Sequence, residues 1–457
     1  MGLTGCASMA PPYERPPLPV PDTYATGTGA AAATPFEPVD WRDYFTDLRL
    51  QSLIELALAN NRDLRIAVLR VEEARATYRI QRADGLPLVG GSAVGARGRV
   101  PALNITGQPI DLELVALGVA VNSWELDFWG RVRSLKDAAL ETYLATDAAR
   151  RAATLGIITQ VANSYLALRE LDERLTLARR TVASRAESLR IFRRRVEVGA
   201  TAKLELTQVE VLWQQATTLV AQLELARTTQ AHDLQLLVGA PVDLSAVAQR
   251  LDDAAMFEEL QPGLPSELLT QRPDIVATEH ALKAANANIG AARAAFFPRI
   301  ALTGFLGLAS ADLGGLFSTD SGAWIFAPSI SLPIFEGGRR RAALDVAQVR
   351  REQAIAQYEQ AIQAAFRDVS DALSARHWLD EQVRTLGATL GVQTERARLA
   401  RLRYDSGAAR YLEVLDAERD VLAVEQQLVQ TRRALLASHV ALYAALGGGA
   451  QPGSVAP

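Results

Sequence analysis

Residues 131–198 read RVRSLKDAALETYLATDAARRAATLGIITQVANSYLALRELDERLTLARRTVASRAESLRIFRRRVEV, 68 positions without a proline. The vocabulary is that of helices: Ala, Leu, Arg and Glu lose little on entering one, whereas a proline inside would cost about 3 kcal/mol. At the helical rise such a segment spans roughly 100 Å. No globular domain needs that length; a coiled coil or a tube does. The proline-free run continues to Ala240, and a second covers Ile334 to Ala450. Prolines crowd instead into 11–38, 87–109, 241–273 and 298–333.

The second proline-free run is a copy of the first. Asp63-Leu64 recurs as Asp274-Ile275 and Pro87 as Pro298, both 211 positions later. Further on the offset is 208. Phe128 and Gly130 then answer Phe335 and Gly337, each one place out of step, and Arg131 answers Arg339. Gly199-Ala200 answers Gly407-Ala408, Leu204-Glu205 answers Leu412-Glu413, Glu210 answers Glu418 and Gly239 answers Gly447. A period near 210 is too long for a solenoid unit and reads as a duplicated domain. Each copy predicts a helix of about 22 residues, two extended segments, a helix of 68 (Arg131–Val198; Arg339–Ser406), a glycine turn and a return helix of about 40. The organisation is therefore a leader and equatorial segment over 1–60, repeat 1 over 61–240, a linker over 241–270, repeat 2 over 271–447 and a tail over 448–457. The strands fall at about 86–127 and 299–335, and the hairpins at 131–238 and 339–446.

In the extended segments, Val115, Leu117, Val119 and Val121 alternate with Ala116, Gly118, Ala120 and Asn122. Trp324, Phe326, Ile330 and Leu332 alternate with Ala327, Ser329 and Ser331. Segments of 10–13 residues with one lipid-like face suit tilted membrane strands, with Trp124, Phe128, Trp129 and Phe335 as an interfacial girdle. A soluble β-sandwich face is the alternative, but it leaves the long helices unexplained. Four strands cannot close a barrel, and open edges are not tolerated in lipid. Two chains supply eight strands and three supply twelve; the small inward residues favour three.

The chain of 457 residues carries 48 Lys+Arg against 52 Asp+Glu, a balance that argues against nucleic-acid partners. One cysteine excludes a disulfide framework and any multi-cysteine zinc site. No apolar run reaches the length of a transmembrane helix, which excludes a helical inner-membrane protein. His232, His280, His377 and His439 stand at no metal-ligand spacing, no phosphate loop follows a strand, and three methionines make no thioether ladder. Neither an enzyme nor a metal or other cofactor is expected.

Several stretches resemble the TolC-like outer-membrane efflux proteins, specifically the OprM/NodT lipoprotein branch. They are Arg272-Pro273-Asp274-Ile275, Ala287-Asn288-Ile289-Gly290-Ala291-Ala292 through Phe296-Phe297-Pro298, Ser329 to Phe335, Tyr411-Leu412-Glu413-Val414-Leu415-Asp416-Ala417, and Leu442 to Gly449. The resemblance covers nearly the whole chain, in order. It implies a mainly α fold with a transmembrane β-barrel: four strands and two long helical hairpins per protomer, assembled as a homotrimer with a twelve-stranded barrel and a twelve-helix periplasmic tunnel. It implies an exit duct, embedded in outer-membrane lipid, for drugs or other small toxic compounds. A periplasmic membrane-fusion adaptor and an inner-membrane RND-type pump are the implied partners. Metal efflux and type I protein secretion share this architecture, and a structural coiled-coil protein is the remote alternative.

With the family in view, Leu3-Thr4-Gly5-Cys6 has the form of a lipobox, which implies diacylglycerol and palmitate on Cys6. The charged and apolar regions of a signal peptide do not precede it, which points to a start upstream of Met1. Glu413 and Asp416, three apart and on one helix face, match the family's acidic constriction; read alone they are acids suited to a helix N-terminus. In repeat 1 Glu205 is kept but Gln208 replaces Asp416. Arg403 and Tyr404 match the surroundings of the family's gate, and Arg410 is the nearest substitute for its arginine. The turns at Gly199-Ala200 and Gly407-Ala408 need glycine to end their helices, and in the family they meet the adaptor.

Overall fold

The computed structural model describes residues 8–21, 24, 39–100, 109–245, 251, 256–258, 260 and 272–448. In chain order the elements are α1 (Trp41–Tyr44), α2 (Leu48–Asn60), α3 (Arg62–Ala83), β1 (Val89–Val100), β2 (Ile110–Glu125), α4 (Arg131–Glu197) and α5 (Lys203–Val238). They continue as α6 (Pro273–Ala294), β3 (Arg299–Ser310), β4 (Gly322–Ser331), α7 (Arg339–Asp405) and α8 (Tyr411–Ala445). Both long helices, α4 and α7, have 67 residues. Among the described residues no helix is long and apolar enough to cross a membrane.

The strands form one antiparallel sheet in the order β1-β2-β3-β4. Two boundaries differ from the alternation pattern. Strand β2 begins earlier, at Ile110, and β4 stops at Ser331, because Pro333 has no N–H for a ladder. Register explains the faces. Val115, Leu117 and Val119 stand opposite Ser310, Leu308 and Leu306, and Leu306 stands opposite Trp324. One side of the sheet therefore carries Leu117, Val119, Leu306, Trp324, Phe326 and Ile330, all exposed in the protomer. The other side carries Ala116, Gly118, Ala301, Thr303 and Ala327.

Simple alternation sends Trp124 to the small-residue side. The structure corrects this with a bulge between Val121 and Trp124, where Ser123 takes a φ of 52°. The extra residue brings Trp124 opposite Leu302, on the apolar side. Glu125 then turns the other way and meets Arg131 at 2.7 Å and Arg299 at 2.8 Å. Gly118 and Gly307 face each other so closely that a Cβ on Gly307 would lie 2.3 Å from the Leu117 carbonyl oxygen.

The chain divides into two compact units, each built from both copies. The first takes 70–147 and 277–359 with the N-terminal residues to Pro17. It holds the sheet, and along α6 it holds an N-terminal strap. The Arg293 guanidinium reaches the Met9 carbonyl at 3.3 Å, Ala10 crosses Gly290, and Asn286 donates to the Pro11 carbonyl at 2.7 Å. Tyr13 and Arg15 then close on Glu279, at 3.1 and 2.9 Å. Burial alone would raise the Glu279 carboxyl, yet Arg15 and Lys283 outweigh it and hold it below the usual range. The second unit takes 18–69, 148–276 and 360–457. Its core includes a ring cluster in which Tyr44 stacks on Tyr443 at 4.5 Å, with Phe45, Phe257 and His439 around it. In it, too, the free ends of the two hairpins pack together.

Candidate functional site

The turns at both hairpin ends share one construction. Gly199 has φ 73° and Gly407 φ 75°, the left-handed value that only glycine adopts cheaply. Beyond each, the Ala200 amide donates back to the Arg195 carbonyl and the Ala408 amide to the Arg403 carbonyl, both at 2.8 Å. These are Schellman closures, so α4 and α7 end at the same place for the same reason.

The return helices begin differently. Thr201 hydrogen-bonds Glu205, which ties that acid into the start of α5. Its counterpart Thr→Ala change in the second copy leaves Ala409 there, and Glu413 instead receives the Arg403 guanidinium at 2.8 Å. This pair joins the last turn of α7 to the first turn of α8 within one hairpin. Asp416 meets Arg419 at 3.2 Å. Both acids stay half exposed, and with Gly407, Ala408, Ala409, Arg410 and Leu412 they line a hollow of about 520 Å³. Arg410 is the residue before α8 and makes no cap hydrogen bond; its guanidinium is exposed and meets no acceptor among the described residues.

The two hairpins are joined by Tyr404, whose hydroxyl meets the Arg195 guanidinium of α4. Below it, Tyr411 donates to Ser188 at 2.8 Å and its ring lies 4.5 Å from Phe192. Leu189, Phe192, Val209, Ala400, Tyr411, Val414, Leu415 and Ala417 make a shared apolar cluster. Sequence reading singled out Tyr404 but not Arg195 or Ser188. A signal was available for the first, since Arg195 stands 208 positions before Arg403. By sequence Glu418 is simply the copy of Glu210. The copies have diverged in environment: Glu210 meets Arg193 in the open, whereas Glu418 is turned into the packing between hairpins.

Burial pushes the Glu418 carboxyl above its ordinary value, although Arg401 and Arg185 pull the other way. An acid whose pKa is raised by folding contributes most when protonated, so its contribution is lost as pH rises through the folded value. Glu418→Gln is therefore expected to raise the melting temperature at pH 7.5 and to leave it nearly unchanged at pH 4. A larger gain at pH 4 would contradict the burial. Cys6 lies outside the described residues, and among those residues no group of His, Cys, Asp and Glu could hold a metal ion.

Comparison with known proteins bears on this arrangement directly. The family model described as "Outer membrane efflux protein" matches residues 53–240 and 264–448. The outer membrane protein OprJ of Pseudomonas aeruginosa is 41% identical over 448 residues, 97% of this chain and 93% of its own length. The cation efflux system protein CusC of Escherichia coli K12 is 40% identical over 456 residues, 98% of this chain and 97% of its own. Among solved structures, the open state of the MtrE outer membrane channel of Neisseria gonorrhoeae superposes with a TM-score of 0.87 at 40% identity, covering 97% and 98% of the two chains.

Proposed function

The chain belongs to the outer membrane efflux protein family, and from that premise we propose how it works as the outer-membrane channel of a tripartite efflux system. The observation that carries the reading is the sheet: one face carries Leu117, Val119, Leu306, Trp324, Phe326 and Ile330, the other is mostly small residues beside Phe305 and Ile325, and its strands run directly into helices of 67 residues. Three copies close the edges of β1 and β4 into a twelve-stranded barrel in the outer membrane, with Trp124 at its interface. Their hairpins form a twelve-helix tunnel in the periplasm. The N-terminal strap carries a lipid on Cys6 as a second anchor. Transport is passive, and energy comes from the inner-membrane pump.

The second hairpin's end is the gate. Glu413 and Asp416 from three copies ring its narrowest part, and the contact between Tyr404 and Arg195 holds it shut. The turns at Gly199 and Gly407 dock the periplasmic adaptor, whose arrival breaks that contact. Cargo is selected by the pump, since relatives named for antibiotic efflux and for cation efflux stand at equal identity. The scarcity of methionine favours organic compounds over soft metal ions.

Purified in detergent and added to a planar bilayer, the protein is expected to insert and give a small cation-selective conductance. Protein that stays soluble without detergent and never conducts would return the chain to the coiled-coil class.

A further inference from the structure

The inward face of the sheet departs from the lining that a water-filled barrel usually has, which is polar. Among the described residues its inward positions carry charge only at the end nearest the long helices. There Glu125 stands opposite Ala301, and Arg299 stands opposite Ser331. The charges at the other end lie on the outward face: Arg99 meets Asp111 at 2.9 Å, and Arg97 stands opposite Glu113. In between, the inward side is small residues interrupted by large apolar ones.

Phe305 and Ile325 stand directly opposite each other on neighbouring strands, about 5 Å apart. The Phe305 ring lies across Gly118, where an added Cβ would come within 2.9 Å of its tip. The ring is half-buried, and Ile325 is 57% exposed. Val94 and Leu114, both exposed, continue the same face about 14 and 20 Å further from the long helices. Covering a glycine with an aromatic ring steadies a sheet, and that accounts for Phe305. It does not account for Ile325, Val94 and Leu114. Nor does assembly cover them, because joining three copies edge to edge pairs β1 with β4 and leaves this face on the lumen.

We propose that Phe305 and Ile325 form a binding surface inside the barrel for apolar and amphiphilic organic molecules, with three such surfaces around one lumen. An aromatic ring beside a branched aliphatic group takes up the flat apolar part of a solute. The fixed charges of this face, Glu125 and Arg299, lie roughly 15 and 20 Å away along their strands, beyond the screening length of about 8 Å. An ionised group therefore gains nothing there, and the surface favours the apolar part. This inference rests on the reading of the chain as a duct with its small-residue face inward.

The test uses the full-length protein in lipid nanodiscs and two photoreactive probes, with labelling read residue by residue by mass spectrometry. One probe is benzophenone; the other is a phospholipid carrying a diazirine in its acyl chain. The phospholipid is expected to label Leu306 and Trp324 and to leave Phe305 and Ile325 unlabelled. Benzophenone should label Phe305 and Ile325 saturably, and excess tetraphenylphosphonium should lower that labelling about fivefold. Ile325→Thr should raise the half-saturating concentration read at Phe305 about threefold, and Phe305→Ser should raise that read at Ile325 about tenfold. The threonine variant keeps a branched side chain at an exposed position, so it decides the matter if the serine variant does not assemble. Labelling of Phe305 and Ile325 that rises in simple proportion to benzophenone, or half-saturation unmoved by Ile325→Thr, would overturn the surface and leave the duct standing. Labelling of both residues by the phospholipid would place this face in lipid and overturn the duct reading, and the surface with it.

Discussion

Glu413→Ala/Asp416→Ala is expected to turn a cation-preferring channel into one that prefers anions, rather than simply to abolish selectivity. The reason lies in the partners. Glu413 is paired with Arg403 and Asp416 with Arg419, and Arg410 meets no carboxylate among the described residues at the same hollow. Removing both acids leaves the Arg403 and Arg410 guanidinium groups without a carboxylate in each protomer, while Arg419 keeps Asp420 at 3.2 Å, and the proposed trimer repeats the pair three times. Rings of fixed charge set the sign of the permeant ion, and groups a few ångströms from the path lie well inside the roughly 8 Å screening length of physiological salt. The expected change is a reversal potential of opposite sign under a salt gradient. Folding should survive, because exposed ion pairs contribute only about 0–1 kcal/mol each. Glu413→Gln/Asp416→Asn, which keeps size and removes charge, should behave alike. A reversal potential unmoved by either pair of substitutions would place the constriction elsewhere and leave the acids as helix-start residues.

Much of this architecture could be read from the chain because its elements depend on local properties. The absence of proline from 131–240 and the alternation of Val115 to Val121 are enough to propose long helices and half-apolar strands, and those properties do not depend on what packs where. Trp124 shows the limit. Its side of the sheet depends on one extra residue at the bulge, and Ser123 carries no local mark of a positive φ. The strap is a second case. Tyr13 and Arg15 sit in a proline-rich leader and find Glu279 more than 260 positions away, a pairing that no periodicity encodes. At the hairpin ends the duplication gives the position of a residue but not its partners. Placing Arg195 over Arg403 and Glu210 over Glu418 marks the positions where equal residues have taken unequal roles.

That inequality leads to the second large effect, an open channel in Arg195→Ala/Tyr404→Phe. Arg195 and Arg403 stand at equivalent places in the two copies, but they do different things. Arg403 bonds Glu413 inside one hairpin, so its loss frees nothing from anything else. Arg195 belongs to α4 and meets Tyr404 on α7, so its loss unties one hairpin from the other. The guanidinium also lies over the rings of Phe192 and Tyr404, at 5.4 and 5.8 Å, and adds a cation–π attraction at the same junction. Phenylalanine at 404 keeps the ring that packs 4.9 Å from Tyr411 and removes only the hydroxyl, so the apolar cluster below stays filled. A half-exposed bond to a charged group contributes about 1–1.5 kcal/mol, and in the proposed trimer three such bonds act on one gate. The closed-to-open ratio should therefore fall at least tenfold, read as basal conductance without adaptor. Arg403→Ala is the comparison, with an expected change several times smaller. Should Arg403→Ala open the channel more than the Arg195 and Tyr404 pair does, the restraint lies within the second hairpin, and the joint between hairpins is only packing.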